Sequence, residues 1–285
     1  MDCIINFAPT GMIPTKEMTP YVPITIQETV EQVLEASDIG ITMVHLHARD
    51  VQTGEPTYKH ELFAEIISGI RKYDKELVIV VTTSGRAFGE YEKRKDPLTL
   101  EGELKPDMGS LTLSSVNFNK EASMNTPGMI MALAEEMKRR RILPELEVFD
   151  SGMINYAKYL EKKGLLEPPH YFNLILGNIA CAQADLLHMG LMLNDLPPQS
   201  LWSVGGIGDY QLMVNSVGIA SGGGVRVGIE DNIWYDTRRS TLARNSDLIR
   251  RIHALAEVQC RKIMKPVEFR KLTNLQGGHG NYGRT

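Results

Sequence analysis

Short apolar runs alternate along this chain with stretches in which apolar residues recur every three or four positions. That is the pattern of strands followed by amphipathic helices. The runs predict strands over residues 4–8, 43–47, 77–82, 109–112, 146–149, 172–176, 201–204 and 225–229. Helical stretches follow most of them. Thr25-Ile-Gln-Glu28 has the spacing of a capping box and opens a helix to about Ser37. Thr126-Pro127 supplies an N-cap and a proline at the first helical position, for a helix to about Arg141. Further helices are expected over 60–73, 151–163, 181–193, 209–220 and 240–260, while Pro97 and Pro106 break the periodicity between the third and fourth strands. The glycine-rich end, 276–285, is expected to be mobile unless it covers something.

Eight strands alternating with helices predict an α/β fold, a (β/α)8 TIM barrel forming one catalytic domain over residues 1–285. A doubly wound open sheet is the alternative, because alternation does not by itself close a barrel. Both architectures place chemistry beyond the carboxyl ends of the strands.

Composition narrows the class. The 285 residues are 42% hydrophobic and 23% charged, which excludes a disordered or collagen-like chain. The longest clean apolar run, Leu77 to Val81, falls far short of the roughly 20 residues of a membrane span. The first residues lack the basic stretch and apolar core of a signal peptide. Cys3, Cys181 and Cys260 share no metal-type spacing and make no disulfide framework, which fits a reducing cytoplasm. A formal charge of −4, without a long basic block, argues against nucleic acid as a partner. A small-molecule enzyme is the expectation that remains.

The sharpest motif is Val44-His-Leu-His-Ala-Arg-Asp50. Residues i and i+2 of a strand share a face, so His45 and His47 project together at the strand's carboxyl end, a natural half-site for zinc. An isolated His-x-His can equally be a hydrogen-bonded structural pair; position favours the metal. In Gly224-Val-Arg-Val-Gly-Ile-Glu-Asp-Asn232, Arg226, Gly228 and Glu230 alternate with apolar residues, so one strand face is charged, bare, charged. A buried charge must be paired or bound to metal, and Glu230 could complete a His2Glu site with an open position. The competing reading is an edge strand with a solvated face. At about 3.3 Å per residue Arg226 lies roughly 13 Å deeper than Glu230 and needs an internal carboxylate, for which Glu147 is the candidate. Strand parity leaves that glutamate either inward or solvated.

Thr82-Thr-Ser-Gly-Arg86, after the third strand, offers hydroxyls and a fixed cation suited to a substrate carboxylate, through Thr83, Ser84, Gly85 and Arg86. A Ser/Thr turn explains the same residues. Ser110 could add a hydroxyl. Gly205-Gly-Ile-Gly208 occupies the usual phosphate region of a barrel, although a tight turn explains it equally well. His60, His170, His188 and His253 are assigned no chemistry, and His279 has no placement.

Taken together, Pro20-Tyr-Val-Pro-Ile-Thr25, the His45–Asp50 segment, Glu145-Leu-Glu-Val-Phe-Asp-Ser-Gly-Met153 and Gly224–Asn232 resemble the β-keto acid cleavage enzymes. The resemblance implies a zinc-dependent barrel, commonly a homotetramer, in which a β-keto acid and acetyl-CoA yield acetoacetate and a new acyl-CoA. It implies His45, His47 and Glu230 as zinc ligands and Asp231 as general base. Arg226 and Glu147 are implied to position that base, and Thr83, Gly85 and Ser110 to hold the substrate's carboxylate. Two departures stand out. Arg86 replaces a glycine, and Ile13 replaces the acidic residue that receives an amino group in the aminohexanoate-cleaving members. The expected acyl part is therefore neutral or acidic, with Lys16 nearby. Rival readings are a metal-dependent hydrolase of the amidohydrolase type, a metal-dependent aldolase, and a zinc-stabilised barrel without catalysis. The first is disfavoured because His-x-His lies on the second strand and no later histidine is suitably placed.

Overall fold

Eight parallel strands close on themselves in chain order: β1 (Ile5–Phe7), β2 (Met43–Leu46), β3 (Val78–Val81), β4 (Met108–Thr112), β5 (Leu143–Val148), β6 (Tyr171–Leu176), β7 (Leu201–Gly206) and β8 (Gly224–Val227). Pairing of Asn6 with Arg226 joins β8 to β1 and seals the ring. This computed structural model describes residues 1–278 and 280–285; His279 lies outside the described residues. The open-sheet alternative is excluded by that closure.

Strand parity sorts the apolar residues into two groups. Phe7, Val44, Leu46, Ile79, Val81, Leu146, Phe172, Val204 and Val225 face outward and pack under the surrounding helices. Ile4, Met43, Val78, Met108, Leu143, Tyr171 and Leu201 plug the amino-terminal end of the barrel from within. Above that plug the interior turns polar, with Asn6, His45, Ser110, Glu145, Asn173, Ser203 and Arg226 all buried. An interior polar layer is costly unless each group is paired. The site therefore sits on top of an apolar stopper.

The helices are α1 (Ile26–Ile39), α2 (His60–Arg71), α3 (Tyr91–Lys95), α4 (Pro127–Arg140), α5 (Ser151–Lys162), α6 (Leu186–Asp195), α7 (Gln211–Ala220), α8 (Asn245–Val258) and α9 (Pro266–Thr273). Thr25 and Glu28 form the expected capping box, and Thr126 caps α4 ahead of Pro127. Several boundaries differ from expectation for local reasons. The α6 helix starts at Leu186 rather than Cys181, because Asp185 accepts the His188 N–H as its cap. Residues 236–241 are a loop gathered by Asp236, which accepts from Arg238, Ser240 and Thr241, so α8 begins only at Asn245. The β8 strand stops at Val227, since Gly228 is pressed so close to Ala8 that a Cβ would stand 1.9 Å from its carbonyl oxygen. The irregular third connection holds α3 and short 3-10 turns.

The carboxyl-terminal segment is not a mobile tail. Leu275–Gln276 pairs antiparallel with Gly283–Arg284, and Phe269 of α9 and Leu275 join the apolar plug. Buried Asp107 receives Arg270 at 2.7 and 2.9 Å and Arg71 at 3.3 Å, while Arg71 lies 3.3 Å over the Tyr282 ring. This segment closes the end of the barrel opposite the site. No helix among the described residues is long and apolar enough to cross a membrane.

Candidate active site

His45, inside β2, and His47, just past its end, share the inward face as their spacing requires. Their Nε2 atoms are 3.2 Å apart, and His47 Nε2 is 3.2 Å from Glu230 Oε1. The structure thus brings the three expected ligands to one point, where their donor atoms lie within 4.8 Å of one another. Two donors on a tetrahedral zinc, each about 2.0–2.1 Å from it, would stand roughly 3.3 Å apart. Glu230 Oε2 is buried and has no hydrogen-bond partner, an acceptor left over for a cation. The donor set and this orphan oxygen fit a divalent metal. Gly11, at a φ of 66°, lies against Glu230, where a Cβ would meet its Cγ at 2.4 Å. Only glycine leaves that glutamate its place.

Behind His45 stands a residue that the sequence reading passed over. Glu145 Oε2 is 2.6 Å from His45 Nδ1, and its Oε1 accepts from the Asn6 and Asn173 amides at 2.5 and 2.9 Å. A proton on Nδ1 aimed at this carboxylate leaves Nε2 as the free donor to a metal. Burial works against charge on His45, but Glu145 more than offsets it and lifts the ring to about 9. Burial drives His47 the other way, down. The signal for Glu145 was present in the sequence: it lies two residues from Glu147 and so shares its strand face.

Arg226 does not lie out of reach of Glu230, as a continued strand would have it. The chain leaves β8 at Val227 and folds back over the barrel, so the long guanidinium rises to meet it. Arg226 Nη2 is 2.6 Å from Glu230 Oε1, and Asp231 accepts from Nε at 2.9 Å and from Nη2 at 3.3 Å. Glu147 does point inward, yet it is the more distant partner, 3.8 Å from Nη1, and its Oε2 accepts from Thr112 at 2.7 Å. Burial pushes Asp231 up from its ordinary place in the carboxylate range, and Arg226 only partly pulls it back. Burial and then the Glu145 charge raise Glu147 as well. Glu230 is held well below that range: burial opposes its charge, but Arg226 and His47 prevail. One buried cation therefore serves three carboxylates of unequal proton affinity.

The loop after β3 divides its residues. Thr83 donates its hydroxyl to the Ser110 carbonyl at 2.6 Å and its N–H to Ser110 Oγ at 3.0 Å. Those hydroxyls join strands rather than facing the cavity. Gly85 packs under Met124, whose carbonyl oxygen would meet a Cβ at 2.4 Å. Thr82, Ser84 and Arg86 are the members that line the cavity. Arg86 lies 3.5 Å over the Phe118 ring and 3.3 Å from Glu121.

The cavity itself has a volume of about 850 Å³ and is walled by the loops at the carboxyl ends of the strands. His45, His47, Glu147, Arg226, Glu230 and Asp231 all reach it. Gly208 also lines it, at a φ of 61°, whereas Gly206 is pressed against the Tyr210 backbone. Lys16 is turned away, bound to Glu28 and the Pro20 carbonyl. His60, His170, His188 and His253 bind Asp96, Glu161, Asp185 and the Gly40 carbonyl, all away from this cavity.

A family model described as beta-keto acid cleavage enzyme matches residues 2–275. The chain is 34% identical over 276 residues to the 3-keto-5-aminohexanoate cleavage enzyme of Fusobacterium nucleatum, covering 96% of this chain and 98% of that one. It is 36% identical over 278 residues to the 3-oxoadipate:acetyl-CoA acetyltransferase of Cupriavidus necator, covering 96% and 95%. Among solved structures, apo ObcA shares the fold with a TM-score of 0.77 at 19% identity, over 89% of this chain and 65% of the ObcA chain. Since the family model spans every strand of the barrel and the segments that carry the cluster at its mouth, the chain belongs to the β-keto acid cleavage enzyme family.

Proposed function

We propose that this protein exchanges acyl groups between a β-keto acid and acetyl-CoA, releasing acetoacetate and a new acyl-CoA. The observation that carries the reading is Asp231, gripped by Arg226 through two hydrogen bonds beside the His45, His47 and Glu230 cluster. The names of the relatives, one an acetyl-CoA acetyltransferase and one a keto acid cleavage enzyme, point the same way.

We take the metal to be zinc, held by His45, His47 and Glu230. When bound, it supplies Lewis acidity for the keto oxygen of the acid. Asp231 removes a proton from the carbon between ketone and carboxylate, and its raised proton affinity suits a general base. The resulting carbanion attacks the acetyl thioester and expels the coenzyme A thiolate. That thiolate attacks the original ketone, and the bond between this carbon and its neighbour breaks to give the acyl-CoA. The acetoacetate carbanion takes back the proton from Asp231, so the protons balance. Arg226 keeps Asp231 aimed throughout, with Glu147 across the cavity. Thr82, Ser84 and Arg86 form the wall proposed for the acid's carboxylate, on a loop set by the Thr83–Ser110 bridge and by Gly85. The family resemblance extends the reading to a homotetramer, testable by light scattering, and the free Cys3, Cys181 and Cys260 suit a reducing cytoplasm.

A panel of β-keto acids incubated with acetyl-CoA, followed by mass spectrometry, tests the reaction. Acetoacetate and a matching acyl-CoA are expected only when both substrates are present. Cleavage without the thioester would indicate an aldolase or a hydrolase instead.

A further inference from the structure

The irregular third connection of the barrel carries Arg94 on α3, and the chemistry above leaves it unused. Arg94 is 3% exposed, and no carboxylate lies within salt-bridge distance of it among the described residues. Burial brings its guanidinium down to about 10, with Glu147 the one charge that opposes this. A buried cation without a counter-ion is costly unless dipoles surround it. Three acceptors do so, and they come from two different loops. Nε donates to the Thr83 carbonyl at 2.8 Å, Nη1 to the Met124 carbonyl at 3.0 Å and Nη2 to Asn125 Oδ1 at 2.6 Å. Thr83 belongs to the loop after β3, whereas Met124 and Asn125 end the loop that leads from β4 to α4.

Further bonds close the joint around this fork. Asn125, itself buried, donates its N–H to Ser115 Oγ at 2.8 Å and its amide to the Ser114 carbonyl at 3.0 Å. The Met124 N–H donates to the Gly85 carbonyl at 3.2 Å. A Cβ on Gly85 would stand 2.8 Å from Arg94 Nη1, so the bare backbone there makes room for the guanidinium. A planar fork holds three divergent acceptors in a way that a lysine ammonium cannot. Between Ser115 and Met124 the chain forms a hairpin, Val116–Asn117 against Ala122–Ser123. Val116, Phe118 and Ser123 of this hairpin line the cavity, as do Ser84 and Arg86 of the other loop. Arg86, stacked on Phe118 and 3.3 Å from Glu121, ties the same two loops a second time. A wall fixed before its ligand arrives spares binding the cost of ordering it.

We infer that Arg94 is a positioning residue that joins the loops after β3 and β4 into one body, and that this joint presets the wall on which the keto acid's carboxylate rests. The inference rests on the reaction proposed above, but the joint itself is read without turnover. In Arg94→Lys, amide hydrogen exchange of the metal-loaded protein should speed up across 83–86 and 114–124 together, with the rest of the barrel as in wild type. Calorimetry with acetoacetate, the proposed product, should show binding weakened by about 10- to 100-fold, with acetyl-CoA binding and bound metal unchanged. Gly85→Ala presses on the same fork and should reproduce both effects, and the double variant should be little worse than either. Faster exchange in one loop alone, or in neither, overturns the inference. So does a loss of acetyl-CoA affinity equal to that of acetoacetate. Exchange that speeds up uniformly around the barrel would make Arg94 a residue of stability and not of position. A wild type that binds no acetoacetate would sink the reaction and the use assigned to the wall, whereas paired exchange of the two loops would still identify the joint.

Discussion

Glu145 Oε2 lies 2.6 Å from His45 Nδ1, with both side chains sealed from solvent. The carboxylate is itself fixed by two amides from β1 and β6, so residues of β1, β5 and β6 determine how one imidazole presents its other nitrogen. Removing such a partner from a metal-binding histidine lowers metal affinity by about 10- to 100-fold. Glu145→Gln, which keeps the volume, should therefore lose metal to a chelator at correspondingly lower chelator concentration. Unchanged retention, with folding verified by melting, would mean that packing alone orients His45.

Asp231 should be separable from the metal cluster. Asp231→Asn keeps the shape but cannot take a proton, and loss of a general base costs typically 10²- to 10⁴-fold in rate. Bound metal should remain at the wild-type level. Exchange of the keto acid's α-protons with deuterated water, followed by NMR without acetyl-CoA, should disappear in this variant. Persisting exchange would assign the base to another group.

The carboxyl-terminal segment should matter for stability and not for substrate. Tyr282 is 4% exposed beneath Arg71, at the end of the barrel away from the cavity. Tyr282→Ala should cost about 3 kcal/mol, by analogy with other buried aromatic truncations, and lower the melting temperature by roughly 6–12 °C. Michaelis constants for both substrates should match wild type. A changed constant would connect the two ends of the barrel.

These residues also mark where sequence alone ceased to inform. The strands of the barrel were legible because most are buried on both faces and read as continuous apolar runs. His45 and His47 were legible as neighbours because parity and strand end are local properties, whereas Glu230 joins them from beyond the end of β8. Arg226 was misplaced because the height estimate assumed a strand through Glu230, whereas contact with Ala8 ends it at Val227. Thr83 and Ser110 were read as donors to a ligand, but each is the other's partner across neighbouring strands, which spacing cannot reveal. Glycines at 276–285 looked like a free end; the buried Tyr282, and the Arg71 and Asp107 that meet there, come from distant parts of the chain.

Acid should reveal the contribution of one ion cluster on α4, Glu136 with Arg139 and Arg140. Glu136 accepts from Arg139 at 2.7 Å and from Arg140 at 2.5 Å, and the Arg139 hydrogen bond leads in lowering its carboxyl from 4.5 to about 2. A carboxyl group that binds its proton less readily in the folded state stabilises that state wherever the unfolded chain is already ionised. The contribution is thus complete above about pH 4.5 and is lost as the pH falls toward about 2. Glu136→Gln should melt below wild type at neutral pH by an amount that stays level down to about pH 5. The gap should then narrow on further acidification and close near pH 2, as measured by parallel thermal melts. A gap of constant size across the whole range would mean that Glu136 acts through its packing and not its charge.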